Sequence, residues 1–500
     1  MNGSSVMYAM PRRLARWPAA ITWPVCALSL LFLLSLPLVN PYVHGDGVGY
    51  YAYAQSLVID HDLRFEDDWR AANPGFLQGR VDAGGRLLPE EYTSTGHLRN
   101  HFSVGPAILW APFLELAHAA VLVADSLGAQ IPADGYSRPY LAAMAASTVL
   151  YGFLGLLLAF DLARRYAGHG WAFLATLGIW FASSLPVYMY FNPAWSHAHS
   201  AFSVALFLWY WQRTRNQRTL RQWVALGLAA GLMMNVYYPN AILLLVPGIE
   251  ALADYRRALR PAADRPAYWG GLIRSQACFL GVVLVALLPT LMTRWVVYGG
   301  PFESGYPPMG GWNWTSPVLL SVLFSANHGL LSWTPVLIPA LLGLFWAWRK
   351  DSLLGGGLLL SVLAYGYFIA SYPDWDGMSS FGNRFFVSLT PVFVIGLAAA
   401  LERFARWWNR PGSDVVLAGG ALALLSLWNA GFIFQWGTQM IPSRGPISWK
   451  QMAHNQLAVV PARVAGELEH YILRRDSMMQ RIEEHDLERL QQQTPSEPTP

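Results

Sequence analysis

An acidic residue, Asp46, follows the first long apolar run of the sequence, and we single it out for chemistry. It lies in the tetrapeptide HGDG, ahead of a Tyr-rich segment that begins at Tyr50 and of a short helix predicted for 52–59. Its carboxylate either caps that helix, as acidic residues commonly do, or acts on a substrate at the outer end of a membrane span. In the second case the flanking glycines admit a close approach.

Two histidines in a later segment, His197 and His199, are separated by one residue in the sequence SHAHS. A pair with this spacing is suited to ligate a metal, bind a phosphate or move a proton. The same residues, together with Ser196, are equally suited to cap the helix that follows. The sequence leaves both interpretations open.

A third segment ends in an arginine, Arg384, that directly precedes an apolar run. A cation at the start of a membrane helix needs an anion. Either Asp374 or Asp376 forms an ion pair with it, or the planar guanidinium binds a lipid phosphate at the membrane surface. The two interpretations can share residues, and both stay open.

Two further segments carry less specific signals. Asp60-His61-Asp62 and Asp67-Asp68 resemble ligands of a divalent cation, although such clusters are also typical of solvated loops. The segment 299–330 combines Glu303 and His328 with aromatic residues that include Phe302, Tyr306, Trp312 and Trp314. The rings either anchor the protein among lipid headgroups or stack on the apolar faces of sugar rings.

The composition restricts the class of protein that positions these residues. Of the 500 residues, 54% are hydrophobic and only 13% are charged, whereas soluble domains carry about 25% charged residues. These values exclude a disordered or collagen-like chain and argue against a water-soluble enzyme. Both cysteines lie in apolar runs, which excludes a disulfide framework and a thiolate zinc site. No basic-aromatic segment indicates nucleic-acid binding.

Eleven apolar runs approach the length of about 20 residues that crosses a bilayer. They are 21–39, 139–162, 171–190, 198–212, 222–237, 240–254, 275–297, 331–348, 352–370, 385–401 and 414–435. Arginines precede the first run, and no small-residue cleavage site follows it. We therefore predict an uncleaved span with its amino terminus in the cytoplasm.

Arginines are concentrated in alternate loops, which sets the predicted orientation. The loops placed inside contain Arg164, Arg213, Arg256, Arg349 and Arg403, whereas the loops 191–197 and 298–330 contain no Lys or Arg. A further apolar stretch, 103–124, would invert this pattern if it crossed the membrane. It contains two prolines, a glutamate and a histidine, and we interpret it as a helix that lies at the interface or dips into the bilayer.

These patterns predict an all-α integral membrane protein with about 11 spans. Its parts are a cytoplasmic segment 1–20, a polytopic domain 21–435 with a large exterior loop 41–138, an exterior helical tail 436–490 and a disordered segment 491–500. The helical tail is interpreted as a surface helix that caps the membrane domain. The predicted location is the inner membrane, with the carboxyl terminus outside.

The order of the segments resembles that of the GT-C-fold glycosyltransferases that use polyprenyl-phosphate sugars, specifically the bacterial relatives of protein O-mannosyltransferases and aminoarabinose transferases. The matching segments are Asp46, the helix 50–59, HFSVGPAILWAPF from His101, SHAHS from Ser196 and SFGNRFF from Ser380. The resemblance covers most of 20–400 and implies a GT-C-like multi-span helical bundle. The HPP-type motif of protein O-mannosyltransferases is missing, which weakens the case for a protein acceptor.

The resemblance implies roles for the matching residues. Asp46 is expected to be the catalytic carboxylate, and Arg384 and His197 are expected to bind the lipid phosphate. Asp46, with His197, is also the candidate ligand of a divalent metal cation, although Asn192, His197 and His199 stand where metal-dependent members carry a second acid. Further candidates for substrate binding are Tyr50, His101, His199, His328 and Asp376.

The predicted function is transfer of a hexose or pentose from a polyprenyl-phosphate-linked sugar donor to a glycan, lipid or protein acceptor at the exterior face. Attack opposite the departing phosphate inverts the anomeric centre. The phosphate already activates the donor, so no nucleotide-binding loop is needed. The alternative is a transporter or flippase of lipid-linked saccharides, which typically carries its charges at mid-membrane in broken helices. Here the charges gather at the ends of spans.

Overall fold

The structure is a computed structural model of the 500-residue chain, and it describes residues 22–259, 265–303, 305–306 and 309–493. Within these ranges the regular elements are all helices. Two isolated antiparallel bridges, between Val81 and Leu87 and between Tyr92 and Leu98, supplement them. The prediction of an all-α protein is confirmed.

The α-helices follow one another along the chain with short 3-10 and π-helical turns between several of them. The first half contains α1 (Trp23–Ser35), α2 (Asp46–Gln55), α3 (Glu66–Arg70), α4 (Pro74–Leu77), α5 (Gly105–Ser126), α6 (Arg138–Ala163), α7 (His169–Phe181), α8 (His197–Thr214), α9 (Leu220–Val236) and α10 (Leu245–Ala258). The second half contains α11 (Arg265–Ala286), α12 (Leu288–Tyr298), α13 (Leu319–Phe324), α14 (Leu330–Trp333), α15 (Leu337–Lys350), α16 (Ser352–Ser371), α17 (Thr390–Trp408), α18 (Ser413–Gly437), α19 (Trp449–His454), α20 (Val460–Leu473) and α21 (Arg475–Gln493).

Six helical segments of the described chain are long and apolar enough to cross a membrane. They are Gly105–Ser126, Arg138–Ala163, Trp269–Tyr298, Ser352–Ser371, Arg384–Trp408 and Ser413–Gly437. The first of them is α5, the stretch that the sequence analysis places at the interface. The other predicted spans correspond to shorter helices or to helices with a break. The helices support a multi-pass membrane protein, and the number of spans and their orientation stay predictions.

The centre of the bundle is α17, which is buried along most of its length and packs against α6, α7 and α15. Its backbone lies against that of α15 because both helices carry a glycine at the crossing. A Cβ added at Gly396 would lie 2.1 Å from the carbonyl oxygen of Ala340, and one added at Gly343 would lie 1.7 Å from that of Gly396. Small residues at a crossing allow such close van der Waals packing in membranes.

The predicted span 171–190 is broken, and the break brings two distant segments together. Helix α7 ends at Phe181, and a π-helical turn, Val187–Phe191, follows Pro186. The Asn429 side chain of α18 donates to the carbonyl oxygens of Phe181 at 2.9 Å and Ser183 at 2.7 Å, which satisfies backbone groups that the break frees. Within this turn, the carbonyl oxygen of Tyr190 accepts a hydrogen bond of 2.7 Å from the backbone N–H of Asn40. The segment before α8 therefore lies beside the segment before α2.

The tail folds back onto the same end of the bundle. Tyr471 of α20 donates to the Leu38 carbonyl oxygen at 2.8 Å, and Arg475 of α21 donates to that of Pro37 at 2.7 Å. Helix α21 continues to Gln493, so 491–493 of the segment predicted to be disordered are helical. The predicted cytoplasmic segment 1–20 and the rest of the predicted disordered segment, 494–500, lie outside the described residues.

The chain between α1 and α5 contains a buried acid, Asp68, which is 1% exposed. Its carboxylate accepts hydrogen bonds from the hydroxyl of Ser56 at 3.0 Å and from that of Tyr136. The expectation of a solvated carboxylate is therefore wrong at this position, because the side chain is buried and hydrogen-bonded to two hydroxyl groups. Burial raises the pKa of Asp68 to about 7.

As the pH rises from 4 to 8, the melting temperature of the Asp68→Asn variant is expected to rise relative to that of the wild type. The raised pKa means that folding favours the protonated carboxyl. The stability that the protonated Asp68 carboxyl gives the folded wild type is complete below the unfolded pKa of 3.8. It is lost as the pH rises through about 7. Thermal unfolding of the purified protein checks this, with Asp67→Asn as the control because that carboxylate is 73% exposed. A melting-temperature difference between D68N and wild type that is constant with pH would contradict it.

Candidate active site

Asp46 is the first residue of α2. Its position is determined by the close packing of the glycines on either side of it. A Cβ added at Gly47 would lie 2.7 Å from the Cβ of Ala194, and one added at Gly45, where φ is +54°, would lie 3.3 Å from the Trp195 ring. The glycines therefore let the chain pass directly over the segment that precedes α8. The glycines were expected to admit a substrate, whereas in the structure they permit contact within the protein.

The Asp46 carboxylate forms an ion pair with Arg384, with 2.6 Å between Oδ2 and a terminal guanidinium nitrogen. Arg384 begins the 3-10 turn Arg384–Leu389 that leads into α17. Asp46 makes no side-chain capping bond, and Gly45 occupies the capping position of α2. The capping interpretation thus does not describe this aspartate. Of the two anions expected for Arg384, neither Asp374 nor Asp376 is its partner in the ion pair; the partner is Asp46.

Arg384 is held by an aromatic side chain and keeps one donor free. Its guanidinium carbon lies 4.6 Å from the centroid of the Trp195 ring, a cation–π distance. Trp195 is in turn fixed by a 3.1 Å hydrogen bond from its indole nitrogen to the His44 carbonyl oxygen. The Nε of Arg384 is buried and has no hydrogen-bond partner among the described residues. A buried donor of this kind is an unsatisfied site for an anion.

The ion pair lies in the wall of a cavity of about 2210 Å³. Five of the residues predicted for the site line this cavity: Asp46, Tyr50, His101, His197 and Arg384. Another part of the wall is apolar and comes from α7, α18 and α20, with Phe181, Leu427, Ile433, Phe434 and Leu468. The cavity therefore joins a charged region to a long apolar one.

The other three predicted residues do not line the cavity. The His199 ring packs between Trp110, at 5.2 Å, and Tyr151, at 5.7 Å. Two residues along an α-helix correspond to a rotation of about 200°, so His197 and His199 point to opposite sides of α8. His199 is thus placed in the helix packing instead of at a substrate.

His328 and Asp376 brace a loop beside the cavity. The Nδ1 of His328 lies 2.9 Å from the carbonyl oxygen of Asp376, and the Asp376 carboxylate accepts a 2.6 Å hydrogen bond from Asn327. These contacts fix the chain that runs from Asp376 to Arg384. Their place in the structure is that of loop supports, and direct contact with a substrate stays a prediction.

Three histidines outside the membrane helices have a pKa below that of a free imidazole. Burial lowers the pKa of His101 to about 4 and that of His328 to about 4, and it lowers the pKa of His44 as well. A neutral imidazole offers one donor and one acceptor. His101 therefore provides the cavity with a hydrogen-bonding group and no charge.

The described residues do not gather a metal site. They hold no group of three or more His, Cys, Asp or Glu side chains around a common point. The Asp46 carboxylate, expected to be a ligand, is paired with Arg384. The residues present do not fit a bound divalent cation, so we derive no step through one, and metal dependence stays an untested prediction.

Sequence reasoning missed two contributions to the cavity. The tail helices supply Tyr471, Met479 and Glu483 to its wall, and Glu483 accepts a hydrogen bond from Tyr42. An apolar periodicity predicts a helix but not its partner, so the sequence offers no signal for this contact. The second contribution is indirect: Arg294 lies outside the wall but donates to the backbone of His101, which lines it. Arg294 had a signal, because a lone arginine within an apolar run is itself unusual.

The chain is similar to a solved membrane protein structure. No family model matches the chain, and no curated protein matches it. The crystal structure of ArnT from Cupriavidus metallidurans in the apo state aligns with a TM-score of 0.48 and 14% sequence identity. The alignment covers 84% of this chain and 64% of that one, so the chain spans less than two thirds of the length of ArnT.

Proposed function

We propose that this protein is a membrane glycosyltransferase that moves a sugar from a polyprenyl-phosphate donor to an acceptor hydroxyl at the exterior face. The observation that carries the proposal is the pair of Asp46 and Arg384 in the wall of a cavity that is charged at one part and apolar at another. A lipid-linked sugar phosphate has the same division into a charged and an apolar part.

The phosphate of the donor fits the region of Arg384. The guanidinium presents a fork of donors that matches phosphate oxygens, and its buried Nε lacks a partner among the described residues. The apolar wall from α7, α18 and α20 is suited to the hydrocarbon chain. Since the phosphate links the hydrocarbon chain to the sugar, the sugar then lies on the opposite side of the phosphate from the chain, beside Asp46.

The reaction follows from this placement. The acceptor oxygen attacks the anomeric carbon, the bond from that carbon to the phosphate oxygen breaks, and the phosphate leaves with the electron pair. Asp46 accepts the proton of the acceptor hydroxyl, and Arg384 stabilises the charge that develops on the phosphate. Attack from the side opposite the phosphate gives inversion.

The ion pair also predicts an order of binding. In the structure, Asp46 and Arg384 neutralise each other at 2.6 Å. A phosphate that binds Arg384 competes with the carboxylate and releases it to accept a proton. The donor is therefore expected to bind before the acceptor is activated.

The test is transfer by the purified protein in lipid nanodiscs, supplied with a panel of polyprenyl-phosphate hexoses and pentoses. Mass spectrometry should detect free polyprenyl phosphate and a glycosylated acceptor. A protein that releases no polyprenyl phosphate from any donor, in the presence of glycan, lipid and peptide acceptors, would contradict the proposal. The assay also separates the transporter alternative, since a flippase leaves the sugar–phosphate bond intact.

A further inference from the structure

Arg294 is a buried arginine that the proposed mechanism does not use. It lies in α12, within a segment apolar enough to cross a membrane, and it is 2% exposed. None of the ion pairs found among the described residues includes it. Burial of a cation is costly unless hydrogen bonds compensate it. The groups that compensate Arg294 therefore indicate what it holds in place.

Its partners are three consecutive carbonyl groups. The guanidinium donates to the backbone oxygens of Asn100 at 3.0 Å, His101 at 2.7 Å and Phe102 at 2.9 Å. It also donates to the hydroxyl of Tyr238, and its central carbon lies 5.5 Å from the Tyr298 ring. The planar fork of an arginine spans these acceptors at once, whereas a lysine presents a single point of charge.

The clamped segment is joined directly to α2. The Asn100 side chain donates to the carbonyl oxygen of Gly49 at 2.8 Å, and the hydroxyl of Tyr53 donates to that of Asn100 at 2.9 Å. A Cβ added at Gly49 would lie only 2.0 Å from a ring carbon of Phe102. The backbone of α2 at Gly49 is thus packed against the Phe102 ring without a gap, and a movement of 100–102 moves α2.

The same segment carries a residue of the cavity wall. The His101 ring contacts Tyr306 edge-on, with 4.7 Å between centroids, and both residues line the cavity. The position of the imidazole depends on the backbone on either side of it. Arg294 holds the carbonyl groups of His101 itself and of both its neighbours.

We propose that Arg294 is a positioning residue of the reaction: through the carbonyl groups of 100–102 it places His101 against the substrate and holds the helix that begins at Asp46. The inference rests on the proposed transferase function. Arg294 touches no reacting atom. Its effect is on the rate at which a bound donor reacts, because small displacements of reacting groups reduce rates strongly.

The test compares Arg294→Lys with Thr293→Val in the full-length protein. Thr293 is the adjacent residue, is also buried, and its hydroxyl donates only within α12, to Pro289 at 2.9 Å and Thr290 at 3.0 Å. R294K should lower the single-turnover transfer rate at saturating donor roughly 10- to 100-fold, with donor affinity unchanged. Amide hydrogen exchange should rise in 98–104 and 46–55. T293V should leave all three quantities unchanged.

A second variant keeps the cation and removes another bond of the same clamp. Tyr53→Phe deletes the hydroxyl that donates to Asn100 and should give a smaller loss of rate with the same pattern of exchange. Wild-type rates in R294K, or a loss of donor affinity that accounts for the whole effect, would overturn the positioning role. If the wild-type protein transfers no sugar, the proposed transferase function is wrong. If the wild type is active and R294K is equally active, only the positioning role of Arg294 is wrong.

Discussion

Asp46→Asn is expected to reduce sugar transfer by about 10²- to 10⁴-fold, the range associated with removal of a general base. The amide has nearly the shape of the carboxylate but does not accept the proton of an acceptor hydroxyl. Since α2 receives no capping bond from the Asp46 side chain, the substitution leaves the helix intact. The loss is therefore expected in the chemical step and not in folding.

Donor binding gives this prediction a second, sharper readout. The Asp46 carboxylate pairs with Arg384, so an asparagine at this position removes a competitor of the phosphate. D46N should bind polyprenyl phosphate at least as tightly as the wild type while it fails to transfer. Asp62→Asn is a suitable control, because Asp62 is exposed and its carboxylate accepts only from the Arg64 backbone. A D46N variant that turns over at the wild-type rate would remove Asp46 from the mechanism.

Hydropathy and charge were sufficient to predict the helical fold and to select Asp46 and Arg384 as candidate site residues. An apolar run of about 20 residues has few structures available to it in a bilayer, so its helices follow from the sequence. Asp46 and Arg384 were each conspicuous as charges at the end of such a run. Their contact was not predictable, because it depends on how α2 packs beside the turn before α17, and apolar periodicity does not specify a partner.

The two histidines of SHAHS show where sequence reasoning lost precision. Placed in a loop, both were free to face a substrate. In the structure α8 begins at His197, so the helical rotation separates the two side chains. The different positions of the two side chains therefore depend on where the helix begins, and helix boundaries are the feature that sequence patterns locate least well.

Asp68 shows a different limit. Its neighbours in the sequence are acidic, which is typical of a solvated loop. In the structure, Tyr136 reaches it from a distant part of the chain, and its carboxylate is buried. A contact of such long sequence separation carries no local pattern, so only the fold reveals that one acid of the group belongs to the core.

Arg384→Ala is expected to weaken binding of the donor roughly 10- to 100-fold, because a hydrogen bond to a charged group contributes about 1.5–3 kcal/mol. The side chain is 12% exposed, so solvent screens its charge little. Arg384→Lys keeps the charge but loses both the fork and the planar stacking on Trp195. We expect its affinity to lie between those of the wild type and R384A.

The contribution of the phosphate to donor binding can be measured by comparing the affinities of two ligands in nanodiscs, a polyprenyl phosphate and the corresponding neutral polyprenol. The wild-type protein should prefer the phosphate, and R384A should bind both lipids about equally, since the apolar wall that holds the chain is unchanged. Arg444→Ala is the matched control: Arg444 also lines the cavity but is exposed and contacts Ser379. In the double variant D46N/R384A the gain in phosphate binding expected from D46N should disappear, because that gain depends on a free guanidinium. An R384A protein that still distinguishes the phosphate from the alcohol would show that the donor's charge is bound elsewhere in the cavity.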